Sequence, residues 1–197
     1  MRIFSFVVSS LLATGALRAT PTLNGDTITV NYLSPDLTNV FATQNVMVQA
    51  PFPEVTCSAG GSGICAPFVE PSTISIDDLS IVVTERAGGS YASQSFNGLQ
   101  FTGLDFGDGS TLTGFNLITN LPGLTPSDVS FTTNSIAFNG SGLSFLTSAY
   151  SVELDLITSS SSAPEPGAFL LLGSGLAAIG LLRRRRRSPL RQRRRSP

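Results

Sequence analysis

Ser151-Val152-Glu153-Leu154-Asp155-Leu156 alternates polar and apolar side chains at every step. Successive strand side chains point to opposite faces, so this run is a strand with one face buried and one in water. Thr27-Ile28-Thr29-Val30-Asn31-Tyr32 repeats the pattern. Ile74 and Ile76, then Leu79, Ile81 and Val83, continue it with a break at Asp77-Asp78. Further strands are expected around Val46-Met47-Val48, Phe96, Leu99-Gln100-Phe101, Leu104-Asp105-Phe106, Leu112 to Leu117, Val129 to Phe131 and Ile136 to Phe138. Asn24-Gly25, Asn97-Gly98 and Asn139-Gly140 are dipeptides of the hairpin-turn type. Pro51, Pro53, Pro67, Pro71, Pro122 and Pro126 mark loops. Between Thr20 and Thr158 no apolar helical period of useful length appears. The expectation is an all-β chain: a single antiparallel β-sandwich of roughly eight to ten strands, with a jelly roll or small barrel as the alternative.

Charge is unevenly placed. Of the arginines, Arg2 and Arg18 stand near the N-terminus and the rest, Arg86 apart, lie from Arg183 onward; there is no lysine. Residues 20–163 thus hold Arg86 against twelve carboxylates, a net charge of −11. Such a body repels anionic polymers and attracts cations, which argues against nucleic-acid binding. Histidine and tryptophan are absent. The usual general base and commonest transition-metal ligand are therefore missing, and Ser-His-Asp or Cys-His catalysis is excluded. Thirteen phenylalanines suit a sandwich core, while Tyr32, Tyr91 and Tyr150 are each expected partly buried with the hydroxyl at the edge.

Cys57 and Cys65 bracket a glycine-rich loop and are expected to form a disulfide. Two thiols alone do not complete a zinc tetrahedron, and the spacing is not Cys-x-x-Cys. Asp105-Phe106-Gly107-Asp108-Gly109 is the best candidate for a calcium loop, though a turn whose aspartates cap their own backbone is the favoured reading. Asp77 and Asp78 face opposite sides of a strand and cannot readily share a substrate. Two-carboxylate glycoside hydrolysis would need a chosen pair, and no spacing selects one. Thr132-Thr133 falls short of the long regular threonine array that ice binding requires. No catalytic residue, cofactor site or metal site is assigned, and the chain is not expected to be an enzyme.

The two ends carry targeting signals. Met1-Arg2, then Ile3 to Ala13, reads as a secretory signal peptide over 1–19, cleaved after Ala16 or Ala19. Near the other end, Gly167 to Leu182 is apolar and uncharged. As a helix its sixteen residues would measure roughly 24 Å, against about 30 Å of bilayer core. Local thinning and snorkelling arginines make up the difference. Arg183, Arg184, Arg185, Arg186 and Arg187 follow as a stop-transfer block, held cytoplasmic by the positive-inside rule. Pro164-Glu165-Pro166 precedes the apolar run. Two prolines keep that stretch extended, and Glu165 resists burial.

The order Pro164-Glu165-Pro166, apolar segment, arginine block resembles a PEP-CTERM protein-sorting signal, a tail also labelled "ice-binding protein C-terminal". The resemblance implies an exosortase, a membrane protease of exopolysaccharide-producing Gram-negative bacteria, as processing partner. It also implies Pro164, Glu165 and Pro166 as the element that protease recognises. The expected segments are a signal peptide (1–19), an acidic β-sandwich (20–157), a Ser/Thr linker (158–163), the sorting signal (164–187, spanning at 167–182) and a basic tail (188–197). The expected course begins at the inner membrane, body in the periplasm, with lipid as transient anchor. It ends at the cell surface or outside. The expected role is structural or interaction-based, with polysaccharide as a further partner; a carbohydrate-binding module for exopolysaccharide is the alternative.

Overall fold

The computed structural model describes residues 20–159. The signal peptide, sorting motif, apolar span and basic tail lie outside the described residues, and among the described ones no helix is long and apolar enough to cross a membrane. The described residues form one compact unit.

Twelve strands build it. The first sheet takes β1 (Thr27–Leu33), β2 (Val40–Met47), β7 (Gly98–Thr102), β9 (Val129–Thr132) and β10 (Ser135–Asn139), in the order β2-β1-β7-β10-β9. The second takes β3 (Val55–Cys57), β4 (Ser72–Ile76), β5 (Ser80–Glu85), β8 (Thr111–Thr119) and β12 (Tyr150–Ser159), in the order β3-β4-β5-β12-β8. Every pairing in both sheets is antiparallel. A small third ribbon joins β6 (Gly89–Ser90) to β11 (Ser144–Phe145). Among the described residues helical content is limited to two single 3₁₀ turns, Gly63–Cys65 and Pro126–Asp128. Neither sheet closes on itself among the described residues, so the barrel alternative does not form.

The period-two reading explains why these elements pack as they do. In β12, Val152, Leu154 and Leu156 are buried while Glu153 and Asp155 lie on the other face. In β1, Ile28 and Val30 are buried between Thr27, Thr29 and Asn31. Both sets belong to one core cluster, with Phe101 and Phe138 from the first sheet and Ile74, Ile76, Ile81 and Val83 from the second. Each such side chain taken fully out of water contributes about 1.5–3 kcal/mol before entropy is subtracted. At one flank the edge strands meet through Phe115 and Phe131, edge to face with ring centroids 5.7 Å apart.

Several expectations are corrected. Leu104-Asp105-Phe106 and Phe96 are buried at Leu104, Phe106 and Phe96 but lie in loops, because an inward apolar side chain serves a core from a loop as well as from a strand. Four short or polar strands, β3, β6, β11 and most of β2, were not expected from the pattern; they carry too few alternations to announce themselves. Asn24-Gly25 is a turn, with Gly25 at φ +93°. Asn97-Gly98 is not: Gly98 opens β7, where a Cβ would stand 2.0 Å from the Phe138 carbonyl oxygen. Asn139-Gly140 likewise ends β10 without folding it back as a tight hairpin. Finally, β12 runs on through Thr158 and Ser159, paired with Leu112 and Thr111, so the first two residues of the expected linker are strand.

Candidate functional site

Strand register places Cys57, Ser72, Glu85 and Tyr150 in one row across the end of the second sheet. All four are buried, although glutamate rarely is. The Tyr150 hydroxyl donates to Glu85 Oε2 at 3.0 Å and lies 2.6 Å from the Tyr91 hydroxyl. Phe145 packs edge to face on Tyr150, with centroids 4.7 Å apart. Beyond them, the Tyr32 hydroxyl donates to Asn97 Oδ1 at 2.5 Å. The tyrosines are thus corrected from edge residues to core residues: their hydroxyls turn inward because Glu85 and Asn97 satisfy them there.

Burial pushes the Glu85 carboxyl above the usual carboxylate range. The hydrogen bond from Tyr150 and those from the Glu70 and Val69 amides oppose this, and the charge of Glu70 reinforces it. Burial also raises Tyr91, Tyr150 and Tyr32, with charge from Glu85 adding to each. The Ser72 hydroxyl in the same row is buried without a hydrogen-bond partner. A cleft of about 450 Å³ opens beside this row, lined among others by Thr73, Thr84, Glu85, Arg86, Asn120 and Ser151. Its lining includes Arg86, the single cation of the body, and Glu85, the lining's one carboxylate. Sequence reading gave Glu85 no distinction among twelve acids. The one available signal was its place at the inward parity of Ile81 and Val83.

Of the other residues singled out in the sequence, Cys57 lies in this row, while the aspartates fall elsewhere. Cys57 and Cys65 are bonded, with Cα atoms 5.2 Å apart, tying the end of β3 to the 3₁₀ turn that follows. In the Asp105–Gly109 loop, Asp108 Oδ1 accepts the Ser110 amide at 2.8 Å and Gly109 sits at φ +76°. That is a turn in which an aspartate holds its own backbone, and the Ser110 hydrogen bonds keep the Asp108 carboxyl below its ordinary range. Asp105 is exposed, and its charge adds to burial in raising Asp26. Asp77 and Asp78 form the turn between β4 and β5, where the Asp77 amide reaches Ser80 O at 2.8 Å and Thr22 donates to Asp78. Among the described residues no three acidic or cysteine side chains converge in a way that could hold a metal ion. Pro164, Glu165, Pro166 and Arg183 to Arg187 lie outside the described residues.

The body is thus an antiparallel all-β unit with a tyrosine–glutamate cluster at one end of its core. Residues 162–187 match the family model described as the PEP-CTERM protein-sorting motif. The chain carries that motif, which implies export, membrane-associated sorting and processing by an exosortase. No curated protein and no solved structure matches the chain.

Proposed function

We propose that this chain is an exported envelope or matrix protein whose β body acts by contact rather than by chemistry. The leader starts export, and residues 167–182 come to rest across the inner membrane with Arg183 to Arg187 on the cytoplasmic side. An exosortase-type protease then cuts at Pro164-Glu165-Pro166, and the acidic body passes to the cell surface or beyond. The observation that carries this reading is the sorting-motif match over 162–187, at the end of an otherwise single β unit. The absence of histidine and of lysine supports the non-catalytic part. So does the lone carboxylate of the cleft, since glycoside hydrolysis takes a pair. Intact-mass spectrometry of the protein from its native host tests the reading: a C-terminus near residues 164–166 is expected, and a chain still reaching Pro197 would overturn it. The second reading, a carbohydrate-binding body, is favoured by one observation, the charge-free outer face of the first sheet.

A further inference from the structure

In the first sheet none of the five strands carries Asp, Glu, Lys or Arg. The acids of the body sit on the second sheet and in loops. An outward sheet face in a body of net charge −11 would ordinarily take its share of them. Instead, register aligns two uncharged rows across the sheet. One reads Asn45, Thr29, Thr102, Ser135, Thr132, and the other Thr43, Asn31, Gln100, Ala137, Ser130.

These side chains are held in place by one another. Thr29 Oγ1 donates to Asn45 Oδ1 at 2.8 Å, Thr43 Oγ1 to Asn31 Oδ1 at 2.7 Å, and Asn31 Nδ2 to Gln100 Oε1 at 3.4 Å. The amide nitrogens of Asn45 and Gln100 are left without a protein partner among the described residues. At one end Leu33, Phe96 and Ala137 form a small apolar cluster of their own, apart from the main core. There the Gln94–Phe96 loop folds over the sheet, with Gln94 accepting from Ser34 at 2.6 Å and the Phe96 amide reaching Pro35 O at 3.0 Å. The result is a shelf of hydroxyl and amide groups with a raised lip. Phe41, 62% exposed, stands on the adjoining edge strand but packs on the inward-facing ring of Tyr32, on the other side of the sheet from the shelf.

We infer that this shelf is a docking surface for an uncharged polysaccharide chain. A polyhydroxylated polymer offers donors and acceptors at sugar-ring spacing, which pre-ordered Asn, Gln and Thr side chains can meet without losing much rotamer freedom. The field of the acidic body turns away polyuronates and other acidic glycans but not neutral ones. A second copy of the chain is the poorer occupant: the shelf lacks the apolar centre of a protein interface, and each copy would bring the same negative field. The inference rests on the exported placement of the body, since that is where such a polymer would be met.

The test uses the full chain in mild detergent, co-sedimented with cellulose, chitin and starch granules, and with calcium pectate gel as the acidic control. Retention on at least one neutral polymer is expected, unchanged at ~0.5 M NaCl because no ion pair is involved. Asn31→Asp with Gln100→Glu should weaken it at least about tenfold by burying a carboxylate against sugar. Thr43→Glu, on the exposed edge strand, should do the same and guards against a folding defect. Ser75→Asp on the other sheet should leave retention intact. The assignment falls if no neutral polymer is retained, if pectate alone is, or if Ser75→Asp weakens retention equally. It also falls if the shelf variants abolish self-association of the chain while no polymer binds. None of these outcomes depends on where the C-terminus is cut, so a failure here is separate from a failure of the processing reading.

Discussion

Glu85 shows how a single residue sets a pH dependence. Its carboxyl is held above the ordinary range, so the folded chain binds that proton more tightly than the unfolded chain does. The stability this contributes is fully present below the ordinary value of 4.5 and is lost as pH rises through the raised folded value. Asp36 and Asp108 run the other way, since both are lowered by hydrogen bonds and their contribution is lost only under more acidic conditions. Calorimetric Tm values from pH 4 to 7, roughly the range where a raised carboxyl titrates, should therefore fall with pH, and Glu85→Gln should flatten that slope. An unchanged slope would show that Glu85 titrates normally. Tyr150→Phe should cost about 1–3 kcal/mol in chemical denaturation, because Glu85 and Tyr91 each lose a buried partner. Gly98→Ala should cost about 1–3 kcal/mol or more, since the added methyl meets the Phe138 carbonyl backbone rather than a side chain that can swing away.

At the scale of elements, the disulfide is the clearest lever. Cys57 and Cys65 close a short loop, and the chain-entropy view assigns such a closure about 2–3 kcal/mol. The Cys57→Ser, Cys65→Ser double variant should accordingly lower Tm by roughly 5–10 °C in a body of this size; equal melting curves with and without reductant would refute that. How much of these elements the sequence made legible follows from their physics. Strands buried on one face, such as β1, β4, β5 and β12, were readable because each alternates over several residues. The break at Asp77-Asp78 was readable because two acids cannot enter the core. Most of the edge strand β2, before Val46, was not, since its exposed residues obey no alternation. Nor was the use of Gly98, where the sequence shows a turn dipeptide and the fold needs only a missing Cβ. The Glu85–Tyr150–Tyr91 cluster could not be foreseen, because residues 59 and 65 positions apart meet only through strand order. By contrast, the sorting motif was legible in full, being a linear signal with its parts in sequence.

For the whole molecule, replacing Pro164, Glu165 and Pro166 by alanine should leave the chain uncut and membrane-held in its host, read as a full-length band in the membrane fraction. Release of the variant at the normal rate would place the cut elsewhere. Once freed of the arginine tail, the body should migrate as a strongly acidic species in isoelectric focusing, as Arg86 alone faces its twelve carboxylates. If the body is held at the membrane before release, as proposed, the position of β12 bears on that stage. This strand is no border strand: it lies between β5 and β8, paired with β5 from Tyr150 to Asp155 and with β8 from Val152 to Ser159, so that Val152 to Asp155 are held on both sides. A tug beyond Ser159 along the strand would first load the β8 ladder alone and would meet the second ladder, to β5, only from Asp155 inward. On the proposed route, a pull from the membrane would thus be borne by a central strand of the second sheet rather than by an edge.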